Sequence, residues 1–147
     1  MNKKFHLGKE VDYMKKLISL FLMLICIFGL VGCGGNVSNV EIIDYSSEIY
    51  TDAEIESAID VTLDYFKKEF EGCTLTEITY LGDEELSGYQ EFADRNDAED
   101  VIVLVSTFDV DDSGGDGSLN PNSTYRNWKW ILVRTDGGKW VHVDHGY

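Results

Sequence analysis

Asn127-Trp128-Lys129-Trp130-Ile131-Leu132-Val133-Arg134-Thr135-Asp136-Gly137-Gly138-Lys139-Trp140-Val141-His142-Val143-Asp144-His145 is the stretch on which the reading of the fold turns. Two runs rich in β-branched and aromatic residues flank Asp136-Gly137-Gly138-Lys139, whose glycines tolerate positive φ, so the segment predicts an antiparallel hairpin. With Gly137-Gly138 as the loop, Thr135 pairs with Trp140, Leu132 with Val143 and Trp130 with His145. Alternation then places Trp128, Trp130, Leu132, Val141, Val143 and His145 on one face, and turns His142 and Asp144 to the other. A three-residue loop would reverse the facing of the last strand.

Working outward, Val101 to Phe108 is an unbroken apolar and β-branched run, which predicts a central strand buried on both faces. Thr74 to Leu81 reads as another strand. Between them Glu84 to Arg95 carries Leu86, Tyr89 and Phe92 at spacings that suggest a short, frayed helix. Ahead of these, Thr51 can cap a helix and Glu54 completes a capping box, with Tyr50 placed to staple against Ile55. Ile55, Ala58, Ile59, Thr62, Leu63, Phe66 and Phe70 recur at helical spacing, and Gly72 supplies the stop. One long amphipathic helix followed by antiparallel strands predicts an α+β domain, with the helix packed on one face of a curved, mainly antiparallel sheet.

In order of elements, and in the ending Asp136-Gly137-Gly138-Lys139-Trp140-Val141-His142-Val143, the chain resembles the nuclear transport factor 2-like superfamily, the cone fold shared with ketosteroid isomerase. Asn127 to Arg134 is also similar to the Asn-Trp-x-Trp-Ile-Leu-Val-Arg ending of small Gram-positive lipoproteins of unknown function. The resemblance covers residues 48 to 147 and implies a cone-like architecture. It implies no particular activity, because the superfamily holds both isomerases and non-catalytic modules. The catalytic tyrosine and aspartates of ketosteroid isomerase match no motif in this sequence.

The 147 residues carry 27 acidic and 12 basic side chains, a formal net charge of -15, with 44% hydrophobic content and a single proline. Such an excess of carboxylates argues against binding nucleic acid, and the composition excludes disordered, collagen-like and disulfide-scaffold classes. The charge is unevenly placed. Met14-Lys15-Lys16, the uncharged run Leu17 to Leu30, and Val31-Gly32-Cys33 form the three parts of an export signal, and the apolar run is short of the roughly 20 residues of a spanning helix. Leu30-Val31-Gly32-Cys33 resembles the bacterial lipobox, which implies a diacylglycerol on Cys33 and cleavage before it. Two or more acyl chains suffice for stable anchoring.

Residues 1 to 13 fit no signal, since Glu10 and Asp12 precede the basic start. Lys9-Glu10-Val11 can be encoded by a bacterial ribosome-binding sequence at a suitable spacing from Met14, so Met14 is expected to be the true start and residues 1–13 an extension read in error. The organisation expected is thus an extension (1–13), a lipoprotein signal peptide (14–32), a tether (33–47) and one α+β domain (48–147). Residues 33–147 hold 25 acidic and 7 basic side chains, a charge of -18.

Three groups of residues invite chemistry. Asp109, Asp111, Ser113 and Asp116 lie in a glycine-rich loop that begins like a calcium loop but lacks its terminal glutamate, so weak calcium binding stands beside the plainer reading of a solvated connection. No other cofactor is indicated. His145, beside Trp130, could line a pocket with a helix carboxylate or Tyr89 as partner in proton transfer, against a plainer role capping the core. Trp128 and Trp130 invite a stacked ligand, against the plainer role of core residues. Cys73 is expected to be a buried, inert thiol once Cys33 is acylated and Cys26 removed.

No assembled catalytic constellation accompanies the anchor. The leading expectation is a non-catalytic binding or interaction module, lipid-anchored through Cys33 on the extracytoplasmic face of the cell membrane. Its partner would be an unidentified small ligand or a basic protein. The alternative is a small pocket hydrolase or isomerase using His145 with a carboxylate, and a third reading is a calcium-dependent docking element.

Overall fold

The computed structural model describes residues 34–147. The extension, the signal peptide and the lipobox ending at Cys33 lie outside those residues. Among the described residues the fold is α+β, with two α-helices and a five-stranded mixed sheet. In chain order come β1 (Glu41–Ile42), α1 (Asp52–Glu69), β2 (Cys73–Tyr80), a 3₁₀ segment (Asp83–Tyr89), α2 (Gln90–Arg95), β3 (Asp100–Val110), β4 (Thr124–Arg134) and β5 (Val141–Gly146). The spatial order of the strands is the same as their order in the chain, with β1 parallel to β2 and every other pair antiparallel. No helix among the described residues is long and apolar enough to cross a membrane.

The helix starts as its cap residues dictate. Thr51 Oγ1 accepts from the Glu54 N–H at 3.4 Å, and the Glu54 carboxylate accepts from the Thr51 N–H at 2.8 Å, so two otherwise unpaired donors are satisfied. Ile55, Ala58, Ile59, Thr62 and Phe66 form the buried stripe of α1. The chain turns away at Phe70, and Gly72 takes the positive φ of 70° that a side chain would resist. Phe66 meets Phe108 and Trp130 edge-on, which places α1 over the even-numbered side of β3. Val101, Val103, Ile102 and Leu104 are all buried, so both faces of β3 are covered. The 3₁₀ segment and α2 also pack on β3.

Arg134 ties the other end of α1 to the sheet. Its Nη2 lies 2.6 Å from Glu54 Oε1 and its Nε 2.7 Å from Asp100 Oδ2, while its guanidinium stands 4.3 Å over the Trp140 ring. Trp140 Nε1 donates to the Glu54 carbonyl at 2.9 Å. These contacts join α1, β3, β4 and the approach to β5 at one point.

The hairpin differs from its expected form in two compensating ways. Its turn centres on Asp136 and Gly137, with φ of 53° and 63°, closed by the Gly138 N–H donating to the Thr135 carbonyl at 2.9 Å. Leu132 pairs with His142 and Val133 with Val141, the register of a three-residue connection, which reverses the facing of the start of β5. Val143 is then an extra residue, a β-bulge between Ile131 and Leu132, beyond which Trp130 pairs with His145 as the alternation required. Thr76 on β2 is a similar extra residue, and Arg126 with Asn127 another on β4, where Asn127 takes a φ of 57°.

Residues 34–47 also differ from expectation. They do not leave the domain as a tether but run along the edge of β2, which β1 extends by pairing Glu41 with Glu77 and Ile42 with Ile78.

Candidate functional site

A cleft of about 230 Å³ opens where α1 ends. Tyr65, Glu69, Phe70 and Glu71 form one wall, and Gly115, Asp116, Ser118 and Leu119 of the β3–β4 connection, with Trp128 and His145, contribute to the rest. Burial of the apolar stripe fixes α1, so Tyr65, one residue off that stripe, projects toward β5. The Tyr65 ring lies 4.0 Å from the His142 ring and 5.6 Å from the His145 ring.

The bulge at Val143 corrects the expectation that His142 and His145 face opposite ways. One extra residue shifts the alternation, and both imidazoles point to the α1 side, with His145 Nδ1 3.3 Å from His142 Nε2. Phe70, Trp128 and Trp130 surround His145 at ring distances of 5.4, 5.9 and 5.3 Å. Burial, then the neighbouring His145, lowers the pKa of His142 to about 4, and burial lowers that of His145. Burial, then Glu69, raises the Tyr65 phenol.

The other sequence-picked residues are dispersed. Trp130 is wholly buried beneath the cleft, where its Nε1 donates to Ser106 Oγ at 2.8 Å, so it belongs to the core. Trp128 is partly exposed on the cleft wall, and its own Nε1 is buried without a hydrogen-bond partner among the described residues. Tyr89 stacks on Phe92 and is not among the residues lining the cleft. Cys73 is buried, with its thiol pushed up to about 11 by burial and then by Asp111 and Asp116, so it is a poor nucleophile.

In the Asp/Gly loop the three carboxylates of the candidate calcium site are each engaged by a neighbour. Asp109 accepts from Thr124 Oγ1, Asp111 from the Ser113 N–H and hydroxyl, and Asp116 from the Ser118 N–H. Among the described residues no group of three or more His, Cys, Asp or Glu side chains is placed to hold a metal ion.

No family model, curated protein or solved structure matches this chain. Glu69, Glu71 and Asp116 are acceptors, Tyr65, Phe70 and Trp128 offer aromatic surface, and among the described residues no Lys or Arg lines the cleft. Sequence reading found Trp128 and His145 and missed Tyr65, Glu69 and Glu71. Tyr65 follows the last but one turn of the buried stripe, and only the bulge in β5 brings a partner to it.

Proposed function

We propose that this chain is a non-catalytic binding module, lipid-anchored through Cys33 on the extracytoplasmic face of a bacterial membrane, whose cleft takes a small organic cation or a basic side chain of a protein. The observation that carries the reading is the pairing of His145 with His142. A general base at neutral pH needs a carboxylate or water to orient it and a pKa near the working pH. His145 has a second imidazole at 3.3 Å instead, and its pKa and that of His142 are lowered. An acidic, aromatic-walled cleft whose imidazoles are uncharged suits a cation through charge and cation–π attraction.

The bulges in β2, β4 and β5, each bending its strand, support the cone-like architecture that the resemblance implied. For the pocket-enzyme alternative the support is the position of His145 on the cleft wall with Glu69 and Asp116 lining the same cleft. The calcium reading has less, since its four residues are engaged in local hydrogen bonds.

Tryptophan fluorescence of the purified protein, titrated with tetramethylammonium and separately with tetralysine, tests the reading. Saturable quenching that weakens in Glu69→Gln, Glu71→Gln and Trp128→Phe supports it. Absence of saturation with both probes, or equal binding in all three variants, rejects the cleft as a cation site.

A further inference from the structure

The segment directly after Cys33 is fastened to the domain from its first residues. Gly35 N–H donates to the Lys67 carbonyl at 3.2 Å, Asn36 N–H to the Cys73 carbonyl at 2.8 Å, and Leu75 N–H to the Asn36 carbonyl at 2.9 Å. Ile43 N–H donates to the Ile78 carbonyl at 2.9 Å. Farther along, Ser47 Oγ and Glu48 N–H both donate to the Asp83 carboxylate, at 2.6 and 2.7 Å, and Tyr50 is buried.

Two glycines after a lipid-bearing cysteine look like slack, but here they are required by close approach. A Cβ on Gly34 would enter the Lys67 carbonyl, and one on Gly35 would lie 2.5 Å from both the ring and the carbonyl of Phe66. The backbone at the end of α1 occupies the space that a side chain would need.

We infer that the anchored domain stands on the membrane in one orientation, with the last turn of α1 and the exposed Lys67 and Lys68 against the phospholipid headgroups. The inference rests on acylation of Cys33. The Cα of that residue is about 3.8 Å from that of Gly34, and Gly34 is seated on Lys67. Lys67 and Lys68 are the basic residues of the last turn of α1, and an anionic headgroup surface attracts them. The exposed carboxylates of Glu69 and Glu71, beside the lysines, oppose a broad contact and keep it narrow.

The opposite end of the domain is defined by the same contacts that hold Arg134 and Trp140 to Glu54. The hairpin turn lies there, and α1, with its 18 residues, is about 27 Å long. A swinging leash would bring both ends to the lipid equally often. A fastened segment would not.

The test uses the full chain, expressed in a bacterium that processes lipoproteins and reconstituted in phosphatidylglycerol and phosphatidylethanolamine vesicles carrying nitroxide headgroups. Lys68→Cys and Lys139→Cys each receive a fluorophore, while Cys73, buried with its thiol pushed up to about 11, resists labelling. Strong quenching at position 68 and its loss at position 139 is the expected result, and equal quenching at the two overturns the inference.

A flexible Gly/Ser spacer of about ten residues between Cys33 and Gly34, reaching on the order of 17 Å, leaves the domain intact and should equalise the two signals. Persistent asymmetry in the spacer variant would overturn the role of the fastened segment. Mass spectrometry of the N-terminus separates the two layers of argument. An unacylated Cys33 removes the anchoring proposal and this inference with it, whereas acylated Cys33 with equal quenching removes only the inference.

Discussion

His142 and His145 show how one backbone residue sets side-chain chemistry. In the unfolded chain both imidazoles titrate near 6.5, whereas in the fold the pKa of His142 falls to about 4 and that of His145 is also lowered. The folded state therefore favours the neutral rings. Their contribution to stability is complete above pH 6.5 and is lost as the pH falls toward the folded value. Glu54 behaves as a carboxylate held down to about 2, by the Thr51 backbone and hydroxyl and then by Arg134, so its contribution fades only below 4.5. The two effects separate on the pH axis. Thermal melts should show Tm falling between pH 6.5 and 4.5, and His142→Asn should flatten that part of the profile. A parent protein whose Tm is level across this interval would contradict the assignment.

At the scale of elements, what could be read in advance was what depends on local pattern. The capping box at Thr51, the buried stripe of α1 and the apolar run of β3 each follow from residue spacing alone, and all three are where periodicity put them. The facing of β5 was not legible, because it depends on where a turn closes and where an extra residue is accommodated. The Asp136-Gly137 dipeptide suits a turn with two positive φ values better than Gly137-Gly138 does, yet as a two-residue loop it would set Leu132 against Val141, and only a three-residue connection gives the observed pairing of Leu132 with His142. Nothing local marks Val143 as the bulge. The histidine pair and the cleft wall at Tyr65 were hidden for that reason. Arg134 gives a test of how the elements are joined, since its fork holds Glu54 and Asp100 at once with a side chain only 10% exposed. Arg134→Ala should lower stability by about 2 kcal/mol, the worth of hydrogen bonds to charged groups, and Tm by about 10 °C for a domain of this size. Arg134→Lys should recover part of that, because a single ammonium cannot span both carboxylates as the guanidinium does. A melt of the alanine variant within about 2 °C of the parent would show that packing of Trp140 and Tyr50 alone secures the helix.

For the whole molecule the governing quantity is the charge of -18 on residues 33–147. Against it, the described residues contain four ion pairs, of which Lys67–Asp64 and Arg95–Glu91 are exposed pairs along a helix. Pairs of that kind contribute only about 0.3–0.5 kcal/mol each. The two pairs of Arg134 are better shielded, so salt weakens them less. Repulsion among exposed carboxylates is spread over the surface of the compact state and relaxes when the chain expands. Screening must therefore stabilise more than it destabilises, since it acts on many like-charge contacts and on few strong pairs. Raising sodium chloride from about 10 mM to about 150 mM shortens the Debye length from roughly 30 Å to about 8 Å, enough to separate charges on opposite ends of α1 electrically. Tm measured at constant pH 7.5 should rise across that interval, with choline chloride giving the same rise if general screening is responsible. A larger rise with the organic cation than with sodium would point instead to occupation of the acidic cleft, and a fall in Tm with either salt would mean that the ion pairs outweigh the repulsion.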